Sequence, residues 1–123
     1  MAKLTKAVQP KRGDIWLAAF DPTIGREIRK TRPAVILQND IGNRISGITI
    51  VAALSSKFTE PIRPIEALVR VPEGGLSTDS VVLLNQVRSI DKKRLIKRLG
   101  KLSDSTITAI DHALLISFGL IDF

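Results

Sequence analysis

The fold class is decided by the stretch Ile48-Thr49-Ile50-Val51-Ala52-Ala53-Leu54. This run is short, β-branched and nearly all apolar, so it predicts a central, buried strand. Further strands are predicted on both sides of it, at residues 13–20, 34–38, 65–71 and 80–84, the last running into residues 85–90. Turn clusters at residues 21–25, 39–43 and 72–75 separate these strands.

The end of the chain has a helical pattern. Ser103 is suited to cap a helix N-terminus, and Asp104 lies in the first turn, where the helix dipole favours an acid. Apolar residues then recur at helical spacing, and Gly119 supplies a stop; these residues are Ile107, Ile110, Leu114 and Phe118. A second, short helix is predicted to begin at Asp91. About five short strands with one terminal helix predict a small, mostly β barrel.

The length and composition indicate one domain in a reducing compartment. We expect residues 1–10 to form a flexible arm and residues 11–123 to form a single domain, because 123 residues leave little room for a second. Cysteine is absent, which excludes disulfides and thiolate metal sites. No apolar run approaches the length of a membrane span, and the first ten residues lack the apolar segment of a signal peptide. We therefore expect a cytoplasmic protein without a membrane partner.

The charge balance indicates a polyanionic partner. The chain has 19 Lys and Arg against 12 Asp and Glu, a net charge of +7 and a pI near 10.3. Such a field attracts nucleic acid, acidic proteins or anionic membrane. Aromatic residues make up only 4%, which argues against a sheet of base-stacking aromatics. A basic cluster at residues 88–101 is interpreted as an amphipathic surface with Leu95 and Leu99 inward, a phosphate track, or a docking surface for a partner.

The sequence contains no pattern of histidine or acidic residues that indicates a catalytic or metal site. His112 is the single histidine, lies in the predicted terminal helix and is interpreted as a polar-face residue. The spacing of Asp and Glu suggests no metal cage, so neither a metal nor another cofactor is expected.

Arginine and hydroxyl side chains remain as the candidates for chemistry. Arg32 directly precedes a predicted buried strand, whose rigidity would fix its base, and it ends a loop that also carries Arg26, Arg29 and Lys30. Ser55 and Ser56 follow the central strand, and Asn85 and Gln86 follow the strand at residues 80–84. If these strands are neighbours, their polar ends converge on one rim of the barrel.

Such a rim suits RNA cleavage. The RNA supplies the nucleophile, its own 2′-hydroxyl, and a fixed guanidinium stabilises the dianionic state at phosphorus through planar, charge-assisted hydrogen bonds. An exposed arginine loop is, however, more often a solvated face or a phosphate grip. The residues alone therefore leave catalysis and simple binding open.

Several segments resemble the MazF/PemK toxins. The similarity covers roughly residues 11–121 and is carried by RGDIW at 12–16, DPTIG at 21–25, KTRPAVI at 30–36, QNDIGN at 38–43, DSVVLLNQVRSID at 79–91 and SFGL at 117–120. The resemblance implies an SH3-like antiparallel barrel of the CcdB/PemK type with a C-terminal helix, forming a symmetric homodimer. It also implies a sequence-specific endoribonuclease that cuts single-stranded mRNA without metal, leaves a 2′,3′-cyclic phosphate and a 5′-hydroxyl, and is neutralised by an acidic antitoxin.

The resemblance assigns roles to individual residues. Arg32, in the Arg-Pro motif, is implied to be catalytic, and so is Ser55, where family members commonly have Thr. Asn85 stands where some members have Asp or Glu; because an amide cannot titrate, a proton-transfer role at this position is left open. Glu27 matches a loop Glu that the resemblance implies to be an RNA contact or a helper of the base. The implied RNA contacts are Arg26, Glu27, Arg29, Lys30, Ser56, Lys57, Asn85, Gln86 and Arg88.

Two alternatives to a nuclease are considered. The first is a gyrase-binding toxin of the CcdB type on the same fold, without nuclease activity. The second is a non-catalytic RNA-binding module. The segments Arg32-Pro33 and 85–88 favour the nuclease.

Overall fold

The fold is one antiparallel sheet with a helix at the end of the chain. The computed structural model describes residues 9–22, 25–27 and 30–122. Its strands are β1 (Asp14–Ala19), β2 (Thr31–Ile36), β3 (Ile48–Ser55), β4 (Glu66–Val69), β5 (Ser80–Asp91) and β6 (Leu95–Lys101); its α-helices are α1 (Asp40–Ile45) and α2 (Asp104–Ser117). The strand order in the sheet is β4-β5-β3-β2-β1-β6. The predicted mostly β class and the C-terminal helix are confirmed.

Apolar side chains cover both faces of the central strands. One face of the sheet packs against α2, in a core that includes Val35 of β2, Leu54 of β3 and Ile110 of α2. The other face carries a second core, which includes Phe20 and Val51. Residues 51–54 of β3 are all buried, so the predicted central strand is confirmed.

The predicted turn at residues 39–43 is wrong, because α1 begins there. The Asn39 side chain caps this helix by accepting a hydrogen bond from the Gly42 N–H at 2.8 Å. Asn43 is buried; its amide donates to the Gln38 carbonyl at 2.9 Å and accepts from the Thr49 hydroxyl at 2.8 Å. Asn, Asp and Gly favour turns, but the same short side chains cap helices, and here burial of the amide decides the outcome.

Two sets of site residues lie inside strands rather than beside them. Arg32, predicted at the end of a loop, is the second residue of β2. Asn85 and Gln86, predicted to follow a strand, lie within β5, which runs unbroken for 12 residues. The pairing of β3 with β5 is irregular at this point, where Ala52 faces Val87 but Leu54 faces Val82. The resulting bulge holds the polar pair, and polar residues at a bulge resemble a strand end in sequence.

The basic cluster contains an edge strand that the sequence did not indicate. β6 pairs with β1 and lies at one end of the sheet order. Leu95 and Leu99 are half-buried and pack against the second and first cores respectively, so their predicted inward orientation is confirmed. The short helix predicted at Asp91 is a single 3-10 turn over Lys92–Arg94, capped by the Asp91 carboxylate.

The terminal helix begins and ends as predicted. Ser103 caps it by accepting a weak hydrogen bond from the Thr106 N–H at 3.4 Å, and Gly119 follows its end with a φ of 74°. None of the helices in the described part of the chain is long and apolar enough to span a membrane. Of the predicted N-terminal arm, residues 1–8 lie outside the described residues; Gln9 accepts a hydrogen bond from the Lys92 ammonium at 2.9 Å. The domain division stays a prediction.

Candidate functional site

Arg32 and Ser55 lie at the same end of the paired strands β2 and β3. Ala34 pairs with Ala53, and the same antiparallel register continued by two residues sets Arg32 opposite Ser55. Because alternate side chains of a strand share a face, both residues leave the sheet on the face of the second core. Each is half-buried, and each has a backbone anchored to a strand. The strand register is consistent with the predicted rim, and the catalytic role of the two residues stays a prediction.

The hydroxyl of Ser55 is oriented by the turn that follows it. Its oxygen accepts a hydrogen bond from the Lys57 N–H at 3.1 Å, which occupies one of two lone pairs. The hydroxyl proton points to the Lys57 carbonyl at 3.4 Å, a long contact for an O–H donor. A phosphate oxygen would be a better acceptor, so Ser55 is poised to donate to an anion at this rim.

A pocket of about 330 Å³ opens beside Arg32. Ser56 also lines it, and this agrees with strand alternation, since Ser56 follows Ser55 and points away from it. Three further hydroxyl residues line the pocket: Ser77 and Thr78 from the segment between β4 and β5, and Ser80 at the start of β5. No sequence motif marks these three residues as part of a site.

Asp79 anchors the segment at residues 77–80 through hydrogen bonds from Val71 and Arg70. Its carboxylate accepts from the Val71 N–H at 2.8 Å and from the Arg70 guanidinium at 2.9 Å. These two hydrogen bonds hold the pKa of Asp79 below its usual value. Arg70 also binds Glu60 at 3.1 Å, which ties the segment to the loop after β3. The only available sequence signal was the position of Asp79 at the head of the block at residues 79–91.

Four predicted RNA contacts share a second pocket. Glu27, Asn85, Gln86 and Arg88 line a volume of about 320 Å³. A carboxylate, two amides and a guanidinium offer both donors and acceptors, which suits the edges of unpaired bases.

The stem of the loop between β1 and β2 connects the two pockets. The Arg88 guanidinium lies 5.5 Å from the centre of the Phe20 ring and donates to the Phe20 carbonyl at 3.4 Å. The Phe20 N–H in turn donates to the Lys30 carbonyl at 2.9 Å, two residues before Arg32. Arg94 donates to the Ala19 carbonyl at 3.1 Å and to the Asp21 carbonyl. Arg88 therefore contacts the same hydrogen-bonded loop stem that Arg32 follows in the chain.

The remaining predicted RNA contacts line neither of these two pockets. Arg26 and Lys30 are exposed on the loop between β1 and β2, and Arg29 lies outside the described residues. Lys57 lines a separate pocket of about 520 Å³ with Arg63 and Glu66. His112 is exposed on α2, which agrees with its interpretation as a polar-face residue. Among the described residues, no group of three or more His, Cys, Asp or Glu is arranged to hold a metal ion.

The motif at residues 12–14 has a structural role. Arg12 binds Asp111 of α2 at 2.6 Å and the Leu37 carbonyl at 3.0 Å, so it joins the helix to the sheet. Asp14 is buried; it accepts a hydrogen bond from the Lys11 N–H at 2.9 Å and forms an ion pair with the Arg98 guanidinium at 3.2 Å. This part of the resemblance therefore reflects the fold rather than the chemistry.

Fold and site together define a class: a small basic β protein with an arginine and a hydroxyl on paired strands, and two polar pockets beside them. Residues 11–118 match the family described as the PemK-like, MazF-like toxin of type II toxin-antitoxin systems. The chain is 42% identical over 113 residues to endoribonuclease EndoA of Bacillus subtilis, covering 92% of this chain and 97% of EndoA. The chain belongs to the PemK-like, MazF-like toxin family.

Solved structures confirm the fold class. A MazF crystal structure from Deinococcus radiodurans has a TM-score of 0.79 at 23% identity, covering 92% of this chain and 99% of that one. An endoribonuclease from a Mycobacterial species, solved in complex with its cognate antitoxin, has a TM-score of 0.74 at 20% identity, covering 93% and 99%. The fold implied by the MazF/PemK resemblance is therefore confirmed.

Proposed function

We propose that this chain is an endoribonuclease toxin that cuts single-stranded mRNA at specific sequences without a metal ion. The observation that supports the proposal is the register of β2 with β3, whose continuation beyond the pair Ala34–Ala53 sets Arg32 opposite Ser55. Family membership and the 42% identity to an endoribonuclease support the activity.

The reaction follows from what these two residues offer to a phosphodiester. The substrate 2′-hydroxyl gives its proton to solvent water and attacks the adjacent phosphorus, the bond to the 5′-oxygen breaks, and that oxygen takes a proton from water. The products are a 2′,3′-cyclic phosphate and a 5′-hydroxyl. The Arg32 guanidinium binds the non-bridging oxygens as negative charge accumulates on them. Ser55 donates its hydroxyl hydrogen bond to the same group, for which its long contact to Lys57 leaves it available.

The surface around the rim supplies affinity and base recognition. Cations on the loop between β1 and β2, among them Arg26, Lys30 and the sequence-predicted Arg29, contact phosphates without regard to sequence. The pocket lined by Glu27, Asn85, Gln86 and Arg88 reads a base edge. Asn85 contributes hydrogen bonds there and no proton transfer, because an amide does not titrate.

We propose two protein partners. One is an acidic antitoxin that covers the basic rim and so excludes RNA; the Mycobacterial relative was solved with its cognate antitoxin. The other is a second copy of the chain, since the end of the chain exposes Leu115, Phe118, Leu120 and Ile121, more apolar surface than an isolated helix end needs. The proposed site of action is the cytoplasm, where mRNA is translated.

Replacement of Arg32 tests the site. We expect Arg32→Ala to lower kcat/KM for RNA cleavage by at least about a hundredfold, because a preorganised oxyanion donor contributes on the order of 3 kcal/mol. The same variant should leave the circular dichroism spectrum unchanged and should no longer arrest growth when expressed in cells.

Arg44→Ala is the matched control. Arg44 is exposed on α1, which precedes the start of β3, whereas Ser55 is at the end of that strand. Arg44→Ala should therefore keep full cleavage activity. Full cleavage by Arg32→Ala would overturn the site, and intact RNA with the unaltered protein would favour a gyrase-binding toxin or a binding module instead.

A further inference from the structure

We propose that the pocket beside Arg32 binds one base of the RNA strand, next to the phosphate that is cut. The inference rests on the proposed nuclease function and adds a subsite that determines sequence preference. It also makes Ser77 and Thr78 specificity-determining residues.

The size and walls of this pocket suit a single planar base. Its volume of about 330 Å³ lies at the lower end of the range of roughly 300–1,000 Å³ for small-molecule sites. Its walls are mainly apolar, formed by Leu17, Pro33, Leu54, Leu76 and Leu99. Such walls gain dispersion energy against both faces of a base and exclude water from it.

The polar groups of the pocket suit the edge of a base. Ser77 and Thr78 are exposed, and each hydroxyl both donates and accepts hydrogen bonds. Ser80 has a different role, because its hydroxyl donates to the Thr78 carbonyl at 2.9 Å and so fixes the backbone there.

The pocket is connected to the proposed catalytic pair at two points. Arg32 lines it directly, and Ser56 is the neighbour of Ser55 in the chain. Since consecutive strand residues point to opposite faces, the phosphate and the base lie on either side of the strand end. A strand of RNA that crosses this rim places its phosphate at Arg32 and Ser55 and its adjacent base in the pocket.

The pocket is built into the fold rather than formed by a loose loop. Asp79 holds the segment at both Val71 and Arg70. At the floor of the pocket, Gly75 approaches β6 so closely that a Cβ would lie 2.1 Å from the Leu99 carbonyl oxygen. A preformed pocket costs little ordering when the base enters.

The test combines a substitution that fills the pocket with RNA oligonucleotides that lack the base proposed to enter it. Ser77→Trp places a large side chain in the mouth, and Ala109→Trp, on an exposed position of α2, is the matched control. Each protein is given an RNA oligonucleotide with the mapped cut site, and versions with an abasic nucleotide at one flanking position. If Ser77→Trp does not fold, Thr78→Trp tests the same mouth.

For the unaltered protein, we expect the cleavage rate to depend on the base at one of the nucleotides that flank the cut. There, the abasic oligonucleotide should be cut with a kcat/KM at least about tenfold lower, the size of one base contact. Ser77→Trp should cut both oligonucleotides at the low rate of the abasic one, whereas Ala109→Trp should behave as the unaltered protein. If folded Ser77→Trp still cuts the intact oligonucleotide faster than the abasic one by the same factor as the unaltered protein, the proposal is overturned. If Ser77→Trp fails to cut the abasic oligonucleotide at all, the proposal is also overturned, because the pocket would then act on the phosphate and not on the base.

A binding measurement separates this proposal from the nuclease function. Uncleavable 2′-O-methyl oligonucleotides, with bases and with abasic positions, report affinity by fluorescence anisotropy whether or not RNA is cut. If the protein cuts no RNA, the proposed function fails, and equal affinities for the two strands would then overturn the pocket as well. If removal of the base lowers the affinity of the unaltered protein but not that of Ser77→Trp, the result would support the base-binding pocket without the nuclease function.

Discussion

At the residue scale, the site depends on what each side chain can donate. Arg32 provides a permanent charge in a planar array, and Ser55 provides a hydroxyl with a weakly used proton. A threonine at this position would present the same oxygen and proton from the same strand end.

A pair of substitutions at Ser55 tests this. Ser55→Ala should lower kcat by about a hundredfold, the loss typical of one transition-state hydrogen bond donor. Ser55→Thr should keep at least a large part of the activity, because it retains the hydroxyl. Rates are measured at saturating RNA, with thermal unfolding as the check on folding. Equal activity of the alanine and threonine variants would remove Ser55 from the mechanism.

Part of the proposed site is predictable from the sequence, and part of it is not. Arg32 and Ser55 were identified from a motif and from the end of a strand, and their pairing follows from the β2–β3 register. Ser77 and Thr78 could not be identified, because a short polar segment carries no pattern until Asp79 folds it over the pocket. Local sequence does not encode contacts that depend on a distant strand.

At the element scale, one carboxylate joins the 3-10 turn Glu73–Gly75 to the start of α2. Glu73 accepts from the Ser103 N–H at 2.9 Å, the Ser103 hydroxyl at 3.0 Å and the Thr106 hydroxyl at 3.0 Å. Burial raises the pKa of this carboxyl, but the hydrogen bonds from Ser103 and Thr106 outweigh it, so the pKa of Glu73 is lowered.

This lowered pKa predicts a pH dependence of stability. Because the folded state favours the charged carboxylate, its contribution is present above the ordinary Glu pKa and is lost as pH falls through the lower folded value. Glu73→Gln should therefore lower the free energy of unfolding at pH 7, and the difference from the unaltered protein should shrink in acid. Urea unfolding from neutral pH to below about 4, the ordinary Glu range, measures it. A difference that stays constant with pH would contradict this role.

Elements were predicted well where their pattern is local. The capped terminal helix and the apolar β3 were found because one stretch of chain contains the whole signal. α1 was missed because its stability comes from the buried Asn43. β6 was missed because an edge strand rich in Lys and Arg resembles a solvated surface until it pairs with β1.

At the scale of the whole molecule, the net charge of +7 governs encounter with RNA. Affinity should fall steeply as salt rises, since each cation bound to a phosphate releases counterions. Arg26→Gln should reduce the slope of log K against log salt by about 0.7, the value for one contact with a single strand. Arg44→Gln should leave the slope unchanged. Anisotropy titrations with an uncleavable strand give both slopes, and equal slopes for all three proteins would remove Arg26 from the RNA path.

We propose that this protein cuts RNA with the substrate's own 2′-hydroxyl as the nucleophile. The most direct measurement is the chemistry of the new ends on a long RNA, after incubation with purified protein in excess EDTA. We predict cuts at a few defined sequences, with every upstream fragment ending in a 2′,3′-cyclic phosphate and every downstream fragment beginning with a 5′-hydroxyl. Intact RNA, or cuts that leave a 5′-phosphate and a 3′-hydroxyl, would contradict it.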